Sequence, residues 1–308
     1  MNANPENITE LFRKHCFRIP LYQRHYDWEE VQCAALWEDF IRLYHDKKAV
    51  HYLGTMVVEK GELDELLIVD GQQRTTSLML LMKALENLSG DREGGFRNLT
   101  HSGALCRLKP QKWSSESDSC WFQAVMEDDD SLTTANNSLA TNFRYFGKCA
   151  ADAFATDPMK ANYAIDALGR MWLAFVVLDR QGVDRDDPQT IFDKINSEGK
   201  NLEVHDLIRN YLFMLAAEST DIDSVSPSAK QQSLYENEWQ NVEREFPERG
   251  LRQMSHFFRD YLIVKTGDLD LTSGPQLYPR FKEYLEPKKS GELLFNGCCL
   301  NDFNTVEY

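Results

Sequence analysis

A chain of 308 residues, 42% of them hydrophobic, has enough apolar sequence for one large core or two modest ones. Its 34 basic against 49 acidic side chains, a formal charge of −15, exclude a surface that coats nucleic acid by charge alone, because phosphate repulsion would act over most of it. The longest apolar run, MWLAFVVL, falls far short of the ~20 residues that span a bilayer, and the opening MNANPENITELFRKHC lacks the order of a secretory leader, so a cytoplasmic protein with no membrane partner is expected.

In chain order, Glu6 to Lys14 reads as a short helix, and FRIP is expected to run extended because a residue before proline avoids the α region. Asp27 and Glu30 have capping-box spacing, and Val31, Ala35, Phe40 and Leu43 then recur on a helix ending near His45. HYLGTMVVE and ELLIV are β-rich runs on either side of a turn at Gly61, which predicts a hairpin. The second strand leads into IVDGQQRTTSLMLLMKAL, where Leu78, Leu81, Met82 and Leu85 take helical spacing and Ser89-Gly90 supplies a stop. Asp70 to Arg74 therefore stand at a strand-to-helix junction.

Beyond Gly90 the sequence predicts mostly helix, with ALCRLK and MWLAFVVLD as the remaining strand candidates. The expected division is an α+β region over 1–100 and a mainly helical one over 101–308, the boundary falling between Gly90 and Lys112. In the helical region, Asp187 and Pro188 have the chemistry of an N-cap and first helical position, and Gly199 suits the exit. The next helix presents Leu207, Ile208, Tyr211 and Leu212, and two further amphipathic helices surround Trp239 and run from Phe257 to Val264.

A helix N-terminus offers unpaired N–H groups and partial positive charge, so it suits an anion, and Arg74 adds a planar cationic fork matched to phosphate. Asp70 at the strand end could hold a magnesium ion through one carboxylate while nucleotide phosphates and water complete the octahedron. Gln72 and Gln73 are too weakly basic to remove a proton, but an amide can orient an attacking water. The plainer alternative makes Asp70 an N-cap, Gly71 a turn residue, both glutamines solvated and Arg74 the partner of a surface acid. Likewise, Tyr22, Gln23 and Arg24 in YQRHYDW can be packing and loop residues, and INSEGKNL a helix corner with Asn196 and Gly199 serving turn geometry. From Leu11 to Tyr26 the chain carries Arg13, Lys14, His15, Arg18, Arg24 and His25 without an acid, a candidate local basic groove. The histidines have no carboxylate or cysteine at ligand spacing and no cysteines form a CxxC pair, so no metal site is expected from them.

Four motifs in order, IPLYQRHYDW, YLGTMVV, IVDGQQRTTSLMLL and IFDKINSEGKNLEVHDLIRNYLF, resemble the N-terminal domain of GmrSD-type modification-dependent restriction endonucleases, closely from Phe17 to Leu215. The resemblance implies a ParB/sulfiredoxin-like small mixed sheet with helices, followed by a mainly helical domain. It also implies a phage-defence protein whose D-G-Q-Q-R site binds and hydrolyses GTP or another nucleoside triphosphate, with magnesium, and so regulates recognition or cleavage of modified DNA. Carried over residue by residue, the catalytic set falls on Asp70, Gln72, Gln73 and Arg74, with Asp70 also at the metal. Nucleotide or phosphate contacts fall on Gly71, Arg24, Tyr22, Gln23, Asn196, Gly199, Arg209 and Asn210, and DNA contacts on Arg13, Arg18, Tyr22 and Gln23, all expected to meet in one cleft. Two departures stand out: Glu198 occupies a corner position often basic in relatives, and no HNH-like or PD-(D/E)xK pattern occurs here, so cutting is expected from a nuclease domain or subunit in trans. The competing expectations are a ParB-like DNA- or protein-binding module without significant NTPase activity, or a scaffold that recruits a nuclease.

Overall fold

The computed structural model describes residues 2–61, 64–90, 94–110, 118–129, 137–178, 203–218, 226–246 and 251–285. By their contacts the residues form two units, one of Met1–Pro20 with His25–Phe192 and one of Leu21–Arg24 with Asp193–Tyr308. The expected division between residues 100 and 101 falls inside the first unit, because the apolar run after Gly169 returns to the same sheet.

The first unit is built on a mixed sheet of strands β1 (Asn2–Asn7), β2 (Phe17–Ile19), β3 (His51–Lys60), β4 (Leu66–Asp70), β7 (Leu108–Pro110) and β8 (Met171–Leu178), in the order β1-β8-β3-β4-β2-β7. A small ribbon, β5 (His101–Ser102) and β6 (Leu105–Cys106), lies apart from it. The predicted hairpin is the antiparallel β3–β4 pair, closed by Gly61 N–H donating to the Glu65 carbonyl. β8 pairs with β1 on one side and β3 on the other, so it is an inner strand of the sheet, with Met171, Leu173, Phe175, Val176 and Leu178 buried.

The helices of this unit are α1 (Ile8–Lys14), α2 (Glu30–His45), α3 (Gln72–Ser89), α4 (Arg97–Thr100), α5 (Asp118–Met126), α6 (Ser138–Ala153) and α7 (Ala164–Leu168). Three expectations are corrected. Glu6 belongs to β1, and α1 starts one residue after Asn7, whose side chain accepts from Glu10 N–H. The box at α2 is made by Glu29 and Gln32 rather than Asp27 and Glu30, since the backbone is still extended at Glu29. Val31 is exposed, and Cys33, Leu36 and Trp37 join Phe40 and Leu43 in the core.

α3 is buried along nearly its whole length, packing on α6 and on the 3₁₀ turn Pro158–Tyr163, and ends at Gly90 in the left-handed conformation. Its burial includes a lysine. Lys83 Nζ lies 3.1 Å from Glu86 Oε1 and 2.9 Å from Asp128 Oδ1, and Glu86 also accepts from Arg97 Nη1 (3.3 Å) and Thr100 Oγ1 (2.9 Å). Asp128 reaches the lysine from a backbone with φ 59°, a left-handed conformation that Asp tolerates better than most residues. Next to Thr100, burial pushes the His101 imidazole down to about 4, with Arg97 acting in the same direction. His101 is thus neutral in the fold, and between its ordinary 6.5 and about 4 the unfolded chain takes up the proton first. Stability is therefore expected to fall as pH drops through that window, and urea denaturation of His101→Gln should show a shallower acid loss than the parent.

The second unit carries α8 (Val204–Glu218), α9 (Pro227–Leu234), a π turn (Tyr235–Trp239), α10 (Gln240–Glu245), α11 (Leu251–Thr266) and α12 (Leu277–Leu285). As predicted, Ile208, Tyr211 and Leu212 face its core, joined by Phe213, Trp239, Phe258 and Phe281, with Trp239 stacked on Phe258 at 6.1 Å. The short helix expected after Asp187 and the Asn196–Gly199 corner lie outside the described residues. Among the described residues no helix is long and apolar enough to cross a membrane.

Candidate functional site

The β4–α3 junction turns on Gly71, the residue before the first turn of α3, at φ 96° and ψ 8°. A Cβ there would find ordinary contacts, its nearest neighbours being Met56 and Thr55 atoms at 3.5 Å, so the requirement for glycine comes from the backbone angle rather than from space. Gly71→Ala should therefore cost about 1–2 kcal/mol through left-handed strain, readable as a lower denaturation midpoint with an unchanged m-value.

Of the plainer readings of this junction, the turn role of Gly71 holds and the others do not. No side chain caps α3, so Asp70 is not an N-cap. Gln72 and Gln73 are buried, not solvated. Gln73 Oε1 accepts from the N–H groups of Asp27 (3.0 Å) and Trp28 (3.3 Å), and its Nε2 donates to the His25 carbonyl (2.9 Å). The amide thus fixes the loop before α2, which Asn142 also clamps by donating to Trp28 O (2.7 Å) and Tyr26 Oη (3.0 Å). Tyr26 Oη sits 2.6 Å from Ser77 Oγ, and burial raises its pKa far above the usual phenol value.

Arg74 does not reach for a surface acid. Its Nη1 donates to the Thr55 carbonyl at 2.9 Å, and its guanidinium lies against Gly54. Gly54 has φ 100° and sits in a bulge: from Tyr52 to Thr55, β3 uses one residue more than β8 does from Trp172 to Ala174. A Cβ on Gly54 would come within 3.3 Å of Arg74 Nη2, so the bulge and the missing side chain together make the seat for the guanidinium. Burial lowers the Arg74 pKa while the Asp70 carboxylate, and secondarily the Tyr52 phenol, oppose the shift; an arginine so placed stays charged at neutral pH. The motif YLGTMVV contains this glycine; an isolated glycine inside a strand pattern is a bulge signal, and it was the only sequence clue to the seat.

A resident metal is poorly provided for: among the described residues there is no cluster of three His, Cys, Asp or Glu side chains. A single carboxylate, Asp70, beside a guanidinium fits magnesium only as an ion that arrives with phosphate oxygens already bound.

The remaining expected residues divide between the two units. Tyr22, Gln23 and Arg24 belong to the second unit, as do Arg209 and Asn210 on α8, with Tyr22 and Gln23 buried. Arg209 is 3% exposed; its Nη1 pairs with Glu243 Oε1 at 3.2 Å and its guanidinium lies 5.7 and 5.9 Å from the rings of Phe213 and Trp239. Among the described residues, Nε and Nη2 of Arg209 and both amide atoms of Asn210, which is 1% exposed, are buried without a hydrogen-bond partner. Arg18 forms a two-point bond with Glu65, at 2.5 and 3.0 Å, and Arg13 lies 3.8 Å from Glu10. Lys14 is within 3.6 Å of both Glu6 and Glu10. The acid-free stretch of sequence is thus supplied with acids from elsewhere in the fold.

A sequence profile described as "GmrSD restriction endonuclease, N-terminal domain" matches residues 8–213. No curated protein matches the chain.

Proposed function

This chain belongs to the family of GmrSD restriction endonuclease N-terminal domains, and on that premise we propose that it is the nucleoside-triphosphate-binding and hydrolysing sensor of a restriction system. Membership places it in a system that acts on DNA. The observation that carries the rest is Arg74: a partly buried guanidinium seated on a bulge in the first turn of a long helix, with the Asp70 carboxylate at the end of the preceding strand. That arrangement supports a polyphosphate ligand, because helix N–H groups and a guanidinium together hold an oxyanion better than either alone.

In this reading the first-turn N–H groups of α3 and the free edge of Arg74 bind the terminal phosphates and take up the charge that develops as the bond to the leaving diphosphate breaks. Gln72 orients the attacking water, and Asp70 holds that water or accepts its proton. Gln73 keeps the loop from His25 to Trp28 in place, since its amide is already bonded there. Magnesium, carried in on the nucleotide, would neutralise phosphate charge and contact Asp70. Within the second unit, atoms of Arg209 and Asn210 that have no hydrogen-bond partner among the described residues support a ligand contact, because buried polar groups are nearly always paired. Arg18, engaged by Glu65, supports a structural role more than a DNA contact.

The test is phosphate release from GTP, ATP, CTP and UTP with magnesium by the parent chain and by Arg74→Ala. Release that Arg74→Ala suppresses supports the reading; equal rates, or none above background in the parent, would leave a binding module in its place.

A further inference from the structure

The same end of the sheet carries an aromatic pair that the phosphate site does not use. β3 and β4 run antiparallel, so the C-terminal end of β4 at Asp70 and the N-terminal part of β3 lie at one end of the sheet. Arg74 is bonded to Thr55 and packed on Gly54, and Tyr52 is two residues further along the strand. Tyr52 is paired in parallel register with Trp172 of β8, and paired residues on neighbouring strands present their side chains to the same face. Tyr52 is 61% exposed and Trp172 36%, in a sheet whose neighbouring positions Met56, Val57, Leu173 and Phe175 are buried.

Two exposed aromatic residues at paired positions leave apolar surface in water. Beside a cationic phosphate seat they have a use. We propose that Tyr52, with Trp172 beside it, is the stacking platform for the base of the nucleotide whose phosphates Arg74 holds. The assignment rests on the phosphate reading of Arg74 for its occupant and on the strand register for its geometry. A ring face accepts any base, so the platform supplies affinity without choosing strongly between purines and pyrimidines. It also gives the Gly54 bulge a second consequence: the extra residue in β3 sets the offset between Tyr52 and the guanidinium.

The experiment is equilibrium binding, with magnesium, of AMP-PNP, GMP-PNP and inorganic tripolyphosphate to the full chain as parent, Tyr52→Ala, Tyr52→Phe and Arg74→Ala. Tyr52→Ala should weaken both analogues by roughly tenfold and Tyr52→Phe by less than about twofold, neither changing tripolyphosphate affinity. Unchanged analogue binding in Tyr52→Ala, or an equal loss of tripolyphosphate, overturns the platform, and Tyr52→Phe separates loss of the ring from loss of the hydroxyl. If Tyr52→Ala weakens the analogues while Arg74→Ala binds tripolyphosphate like the parent, the platform stands and the phosphate reading falls. If only Arg74→Ala has an effect, the reverse holds, and absence of all binding by the parent removes both.

Discussion

Replacing Arg74 with alanine should reduce nucleotide hydrolysis by about a hundredfold or more, the loss expected when a preorganised donor to a developing oxyanion is removed. The effect on folding should be smaller. Arg74 makes one bond to the Thr55 carbonyl and packs on Gly54, so its removal takes away a single hydrogen bond worth ~1 kcal/mol and opens a small polar space. Lysine should not rescue it. A primary ammonium can replace the charge but not the planar fork, which is needed to keep one N–H on Thr55 while another faces the ligand. Thermal melting of both variants alongside phosphate release would separate the two effects: a large loss of rate with a small shift in melting is the expected pattern.

The largest loss of stability should come from Glu86→Ala. Glu86 is 1% exposed and holds Lys83, Arg97 and Thr100 at once, so its removal leaves a fully buried ammonium with Asp128 as its one counter-charge among the described residues. Breaking a buried pair from one side typically costs about 3–5 kcal/mol, because the abandoned charge keeps its desolvation penalty. Removing both sides should cost less. Lys83→Met with Glu86→Leu replaces the pair by apolar groups next to the buried Leu80, Met82 and Leu85, and the double variant should be more stable than Glu86→Ala alone. Denaturant unfolding checks it; a double variant as unstable as the single would mean that Arg97 and Asp128 depend on the pair for their own positions.

Much of the fold was legible where one physical signal dominated. Leu78, Leu81, Met82 and Leu85 gave α3, Gly90 its end, and the turn at Gly61 the hairpin, because each depends on local periodicity or backbone freedom. MWLAFVVL read as a strand, but nothing in its own residues says that it inserts between β1 and β3. β1 went unread since NANPEN has little β propensity and is ordered by pairing with β8. Lys83 gave no warning either: a lysine in an apolar helix can extend its head to water, and only the positions of Glu86 and Asp128 show why this one stays inside.

The candidate residues stand out in the sequence, but their surroundings do not. Asp70 to Arg74 were picked out by their polar chemistry at a helix start, yet the bonding of Gln73 depends on a loop 45 to 48 residues earlier in the chain. The seat for Arg74 is a missing side chain, Gly54, and a glycine that signals a bulge does not say which distant side chain will fill it. Arg13 and Arg18 looked like a basic groove because their partners, Glu10 and Glu65, stand outside the acid-free stretch.

The most direct measurement is a crystal structure of the chain with a non-hydrolysable nucleoside triphosphate analogue and magnesium. The predicted result is phosphate density within hydrogen-bonding distance of Arg74 and of the first N–H groups of α3, with the metal between it and Asp70. Nucleotide density elsewhere, with Arg74 still bonded only to Thr55, would contradict it.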